Sequence, residues 1–326
     1  MTRRDFAKGL LAATGLPAAI EAGAAQSART GRAGKPRARQ LDPCAIGVIS
    51  DLHIGAPLSR RVYPGGRICP WQPEAAKKLV AEILALPKPP ANVIGLGDIA
   101  LSFGEAGDYE VAAEVLKPLS DAGIKVTLAM GNHDMRAEFL QSFPGYDRTT
   151  KVPGRFVSVV ETPHVDFILL DSLVEPVKRG YYGALGGAAL GDEQTKWLND
   201  TLASLSKPTF VCAHHDGFCL RIGKLCSSAP KVVGYLHGHL HRWMTSVLVN
   251  GYGPDSRTIR MMSFPTFGLD MDVGWGLIRT APKVARLECK ACDFYFPEKL
   301  PDEKRPPQWK MFVRDWADRK IYFSLA

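Results

Sequence analysis

Ala45-Ile46-Gly47-Val48-Ile49-Ser50 runs directly into Asp51-Leu52-His53. A short, nearly all-apolar run of this kind reads as a strand buried on both faces, the sort found in parallel sheets. The abrupt change to an acid and an imidazole puts chemistry at its carboxyl end. The same grammar recurs along the chain. Asn92–Leu96 ends in Gly97-Asp98, Lys125–Met130 in Gly131-Asn132-His133-Asp134, and Thr209–Ala213 in His214-His215-Asp216. Val232–Leu236 is followed by Gly238-His239-Leu240-His241. Further strand signals lie at 156–160 and 167–170, and later at about 244–249, 258–262 and 284–287.

Helical patterns separate several of these strands. Pro73–Leu86 carries Ala76, Leu79, Val80, Ile83 and Leu84 on one side, with proline near its start. Asp108–Ala122 carries Val111, Val115, Leu116 and Leu119, with Gly123 as its stop, and Leu190–Leu205 carries Trp197, Leu198, Leu202 and Leu205. Strands alternating with helices predict one α/β domain. In such folds ligands bind where the carboxyl ends of the strands converge. Asp51 with His53, and His239 with His241, are two residues apart, so an extended backbone would aim both members of each pair the same way. Mixed imidazole and carboxylate donors point to Zn, Fe or Mn rather than Mg or Ca. Gly97, Gly131 and Gly238 read as points where the backbone turns sharply before a ligand.

The ordered set D-x-H, G-D, G-N-H-D, H-H and G-H-x-H resembles the calcineurin-like metallophosphoesterases over roughly residues 44–290. The resemblance implies a four-layer sandwich, two central mixed β-sheets flanked by helices. It also implies two transition-metal ions. Asp51, His53 and His241 would hold one, Asn132, His214 and His239 the other, and Asp98 would bridge them. His214 rather than His215 matches the family's ligand, and Asp216 stands where the family often has proline, which alters the adjoining substrate wall. A metal-bridging hydroxide would then attack phosphorus, the two cations lowering the pKa of the water and neutralising the phosphoryl oxygens. His133 would protonate the leaving group. Asp134 would orient the His133 ring or cap the helix starting near Met135. Arg136 and His215 are candidates to contact substrate, although Arg136 also suits a solvated helix face.

Within the family, purple acid phosphatases carry Tyr three residues after the aspartate of G-D, where this chain has Leu101. The G-N-H-D-M-R run, Leu170-Asp171-Ser172, Gly183 and Gln194–Leu198 look most like class III cyclic-nucleotide phosphodiesterases. That branch implies hydrolysis of a small phosphodiester, a cyclic nucleotide or a glycerophosphodiester. Phosphomonoesterase or nucleotide phosphatase chemistry, and a metal-poor binding scaffold, are the competing readings. Residues 54–72, with Arg60, Arg61, Tyr63, Arg67 and Trp71, read as a cap gripping an anionic substrate or as an ordinary loop. Tyr181 and Tyr182 carry the same two readings.

Charge and targeting complete the reading. The chain of 326 residues carries a formal charge of +8, but residues 1–39 hold eight basic residues against Asp5 and Glu21, which leaves only +2 for the rest. A body that near neutrality, without a basic stripe, argues against nucleic acid as a partner. Arg3-Arg4-Asp5-Phe6-Ala7-Lys8, then a weakly apolar stretch to Ile20 and Ala22-Gly23-Ala24, resembles a twin-arginine signal over residues 1–24. Residues 25–42 read as a flexible spacer, 43–296 as the catalytic domain and 297–326 as an extension packed on it. The twin-arginine translocase is thus an expected partner, and the expected destination is periplasmic or secreted. No apolar run after the leader is long enough to predict stable membrane insertion. Cys289-x-x-Cys292 and Cys219 with Cys226 are possible disulfide pairs, while Cys44 and Cys212 read as buried thiols.

Overall fold

The computed structural model describes residues 40–56, 72–101, 103–175, 188–249, 257–266, 272–291 and 316–326. All of these belong to one unit spanning Arg39–Ala326. The leader, the spacer up to residue 39, residues 57–71 of the 54–72 insertion, Tyr181, Tyr182, Gly183, Cys69, Cys292 and residues 297–315 lie outside the described residues.

Among the described residues, twelve strands form two six-stranded sheets. In the first, β1 (Asp42–Ile49) pairs in parallel with β2 (Pro90–Gly95), which pairs in parallel with β3 (Lys125–Leu128). On its other edge β1 meets β10 (Gly274–Ala281), and β11 (Val284–Ala291) and β12 (Lys320–Ser324) continue outward, all antiparallel. The second sheet runs β4 (Ser158–Val160), β5 (Asp166–Leu169), β6 (Thr209–Ala213), β7 (Val232–His237), β9 (Thr258–Ser263) and β8 (Met244–Val249). Its centre, β5 to β6 to β7 to β9, is parallel, with β4 and β8 antiparallel at the edges.

Side-chain alternation along each strand builds the layers. In β1, Ile46 and Val48 face the second sheet, while Ala45 and Ile49 face the helices. In β6, Phe210 and Cys212 face the first sheet, and Val211 and Ala213 face outward. Between the sheets lie Ile94, Leu96, Phe167, Leu169, Leu236, Met262 and Ile278. The outer face of the first sheet is covered by α1 (Gln72–Ala85) through Ala76, Leu79, Val80 and Ile83, and by α2 (Ala106–Asp121) through Tyr109, Ala112, Val115, Leu116 and Leu119. The outer face of the second is covered by α4 (Gly191–Ala203) through Leu198 and Leu202, and by α5 (Gly223–Ser228) through Cys226. Helices outside two mixed sheets make the expected four layers. A short α3 (Arg136–Ser142) follows the G-N-H-D loop.

Three expectations change. The C-terminal segment is not merely packed against the domain, because Lys320–Ser324 is a strand of the first sheet with Ile321 and Phe323 in the inter-sheet core. Cys219 and Cys226 are both free thiols. Cys226 is buried, Cys219 is exposed with its Sγ on Asp216 Oδ2 at 3.0 Å, and Cys44 is only half-buried.

Candidate metal centre

The loops after β1, β2, β3, β6 and β7 meet at one edge of the sandwich. Backbone hydrogen bonds lace them together. Asp51 N–H donates to Gly97 O, His53 N–H to Asp98 O, and Gly238 N–H to His214 O. Among the described residues the result is two donor clusters, one of Asp51, His53, Asp98 and His241 and one of His214, His215 and His239. Asp98 joins them, since its Oδ2 lies 3.1 Å from His214 Nε2 and 3.6 Å from His53 Nε2. Asn132 Oδ1 stands 2.9 Å from His214 Nε2, and His239 Nδ1 stands 3.3 Å from the same nitrogen. His241 Nε2 is 3.2 Å from Asp51 Oδ1 and 3.0 Å from His53 Nε2. All seven residues expected to ligate metal therefore converge, in two groups sharing one carboxylate.

The backbone achieves this differently from the expected extended pairing. Asp51, His53, Asp98, His239 and His241 all sit at positive φ, between 44° and 67°. Left-handed conformations are uncommon for such residues and cost on the order of 1–3 kcal/mol each, and they gather where function demands them. Every other residue is thus turned inward by a left-handed kink rather than by strand alternation. Of the three loop glycines only Gly97 supplies a turn, with φ +95°. Gly131 and Gly238 supply room instead. A Cβ on Gly131 would lie 2.1 Å from Asp98 Oδ1, and one on Gly238 would lie 2.1 Å from Ser50 Oγ and 2.5 Å from Asp51 Oδ2.

The donor atoms suit cations. His53 donates Nδ1–H to Leu101 O and His214 donates Nδ1–H to Leu96 O, each at 2.9 Å, which leaves the Nε2 lone pairs for the site. Nε2 of His214 then faces Asn132 Oδ1, Asp98 Oδ2 and His239 Nδ1, all electron-rich. Several lone pairs aimed at one point repel unless a positive charge sits among them. Titration behaviour reports the same demand. Burial disfavours a charged His214, yet Asp98 holds its imidazolium up to about 9. Burial likewise works against ionised Asp51 and Asp98, but the surrounding histidines hold Asp51 down at about 2 and Asp98 well below the usual carboxylate range. His53 and His239, by contrast, are pushed down to about 4 chiefly by burial, so both present neutral imidazoles at physiological pH.

The remaining expected residues divide. His133 is half-buried at the site; its backbone N–H donates to Asp98 Oδ1 at 2.9 Å and its ring stands edge-on to His53 with centroids 4.9 Å apart. Asp134 does not orient that ring. Its buried carboxylate accepts from the N–H groups of Ile99, Ala100 and Gly131 and from the Tyr109 hydroxyl, so it pins the Asp98 loop to the Asn132 loop. Nor does it cap α3, whose N-cap is Met135 without a side-chain cap. Burial and the nearby Asp98 push Asp134 up to about 6. Arg136 is engaged internally rather than offered to substrate. Its guanidinium grips both oxygens of Asp171, at 2.7 and 2.8 Å, and also Glu175 Oε2 and Leu173 O. His215 is buried at 3% exposure beside His214 and His239 rather than on an open substrate wall, and Ser172 Oγ lies 2.8 Å from its Nδ1.

Several supporting residues escaped the sequence reading. Tyr109 bridges Asp134 and Met135 N–H, Ser50 Oγ donates to Asp51 Oδ2, and Thr266 Oγ1 donates to Asp51 O. Tyr109 fits the buried stripe of α2 with Ala112 and Leu116, which was the available signal; the other two gave none.

Residues 45–243, more than half of the chain, match the calcineurin-like phosphoesterase family. The chain belongs to that family. Family membership and the mixed imidazole and carboxylate donor set together imply divalent metal ions. One curated relative, a probable cyclic nucleotide phosphodiesterase from Psychrobacter arcticus, is 30% identical over 102 residues, which is 30% of this chain and 34% of that protein. The match therefore spans about a third of the relative's length. Among solved structures, a dimetal phosphatase from Danio rerio shares the fold with a TM-score of 0.56 at 14% identity, covering 76% of this chain and 96% of that one. No helix among the described residues is long and apolar enough to cross a membrane.

Proposed function

We propose that this calcineurin-like phosphoesterase is an exported hydrolase of small phosphodiesters, acting on cyclic nucleotides or glycerophosphodiesters with two ions drawn from Fe, Mn and Zn. The observation that carries the dimetal reading is Asp98 Oδ2, 3.1 Å from a histidine of one cluster and 3.6 Å from a histidine of the other. Support for a diester substrate comes from the likeness to the Psychrobacter protein and from the motif pattern around Asn132.

Asp51, His53 and His241 would hold one ion, Asn132, His214 and His239 the second, with Asp98 between them. Bound there, two cations supply Lewis acidity toward phosphoryl oxygens and a water activated near neutral pH. The chain's own residues do the rest. The His133 N–H fixes Asp98 Oδ1, which leaves Oδ2 pointing between the clusters. Asp134 and Tyr109 lock the two loops that carry Asp98 and Asn132. Arg136 ties α3 to Asp171, which is fully buried, so the loop bearing His133 cannot drift from the second sheet. The His133 imidazole, edge-on to His53 at the same site, would donate a proton to the departing alkoxide.

A hydrolysis panel on metal-reconstituted protein tests the substrate. Cyclic nucleotides or glycerophosphodiesters should be cleaved with kcat/KM well above phosphomonoesters; a preference for monoesters would reverse the assignment. Export is tested separately by fusing residues 1–40 to a reporter. Arg3→Lys with Arg4→Lys should stop its translocation, and unimpaired export in a host lacking the folded-protein translocase would remove the twin-arginine reading.

A further inference from the structure

The second cluster contains one more nitrogen than the family pattern requires. We propose that His215 is itself a ligand of the second metal position, alongside His214, His239, Asn132 and the shared Asp98. This rests on the dimetal reading above and adds a residue to it.

The two adjacent histidines do not diverge. Past the end of β6 the chain bends, and both rings turn inward, with centroids 4.8 Å apart and the His215 ring 4.7 Å from that of His239. A ligand-competent nitrogen from each of the three rings lies within 4.8 Å of the other two. His215 is 3% exposed, so neither nitrogen is satisfied by bulk water. Ser172 Oγ engages Nδ1 at 2.8 Å, while Nε2 is buried and has no hydrogen-bond partner among the described residues. An unmatched polar atom of this kind costs on the order of 1–3 kcal/mol and calls for an occupant.

The other ligands show what that occupant is. His53 and His214 each give Nδ1 to a fixed oxygen, Leu101 O and Leu96 O, and turn Nε2 to the site. His215 repeats the arrangement with Ser172 as the fixing oxygen. A metal-bound imidazole is usually held through its other nitrogen in this way. Ser172 is held in turn by its neighbour Asp171, whose carboxylate grips Arg136 and whose backbone pairs with Gln194. With His215 included, the second position carries three imidazoles, Asn132 and half of Asp98, against two imidazoles, Asp51 and half of Asp98 at the first. A nitrogen-richer position favours Zn or Fe over Mn, so the two positions should differ in metal preference.

The test uses full-length protein stripped of metal and titrated with Co²⁺, reading bound metal per chain and the visible absorption of the centre. Wild type should take up two Co²⁺. Ser172→Ala should weaken the second by about 10–100-fold, the usual effect of losing a residue that orients a ligand, and His215→Ala by at least as much. In His215→Ala the Co²⁺ band of the second position should also shift, because a nitrogen donor is gone, while the first Co²⁺ is retained. Unchanged second-site affinity with an unchanged band would overturn the ligand role and leave the dimetal reading standing. Wild type that binds no second Co²⁺ would instead bring down the dimetal reading itself. If His215→Ala does not fold, His215→Gln preserves bulk and carries the same two outcomes.

Discussion

Replacing Gly131 with alanine removes no donor atom and should still disable the centre. Gly131 lies against the Asp98 carboxylate so closely that a Cβ would fall 2.1 Å from Asp98 Oδ1, 2.4 Å from its N and 2.8 Å from its Cγ. Real Cβ contacts do not go below 3.0 Å, so Asp98 or the loop must move by about 1 Å. Both are constrained. Asp98 Oδ1 accepts the His133 N–H at 2.9 Å, and Gly131 N–H donates to Asp134 Oδ2 at 2.9 Å. A shift of that size breaks at least one charge-assisted hydrogen bond, about 1.5–3 kcal/mol, and misplaces the shared ligand. A misplacement of about 1 Å at a reacting centre costs on the order of 10²-fold in rate. The assay is kcat on a nitrophenyl phosphodiester at saturating metal, with metal content and thermal melting measured on the same preparation. Gly131→Ala should be about 10²-fold slower with weakened metal binding. Activity within about threefold of wild type, with two metals bound, would refute the close-approach argument.

Three further outcomes follow from the same geometry. Asp98→Ala should lose both metals, or nearly so, in metal analysis, because it removes the one carboxylate among the described residues that faces both clusters. His133→Ala should keep both metals and the fold while losing roughly 10²–10⁴-fold on esters with poor alkoxide leaving groups, and less on a nitrophenyl ester; equal losses on both would take the acid role away from it. Arg136→Ala strands a fully buried Asp171 carboxylate, so it should lower stability to denaturant by about 3–5 kcal/mol while leaving KM for a phosphodiester little changed; a large rise in KM with intact stability would restore Arg136 as a substrate contact.

What was legible in the sequence and what was not separate along physical lines. The residues that converge at the two clusters were readable because each sits within a few residues of the end of an apolar strand, where a carboxylate or imidazole has no packing reason to be. Partners distant in sequence were not. Nothing local to Arg136 announces Asp171, thirty-five residues on, and nothing local to Asp134 announces the N–H groups of Ile99 and Ala100. Each therefore read as an active-site group when it is a tie between loops. The left-handed kinks at Asp51, His53, Asp98, His239 and His241 were equally hidden, since residue type alone predicts the opposite sign of φ. Among the strands, β10 escaped because Gly274 and Gly276 interrupt its apolar run, yet it pairs with β1 and carries Trp275, Leu277 and Ile278 into two cores. β12 escaped because Lys-Ile-Tyr-Phe-Ser places an exposed Tyr322 between its buried residues, which blurs the alternation.

Two cations sharing Asp98 should be visible by anomalous diffraction from crystals of metal-loaded protein. Two anomalous peaks should appear, both within bonding distance of the Asp98 carboxylate, one flanked by Asp51, His53 and His241 and the other by Asn132, His214 and His239. A single peak at full metal loading, or two peaks of which only one touches Asp98, would contradict a shared Asp98.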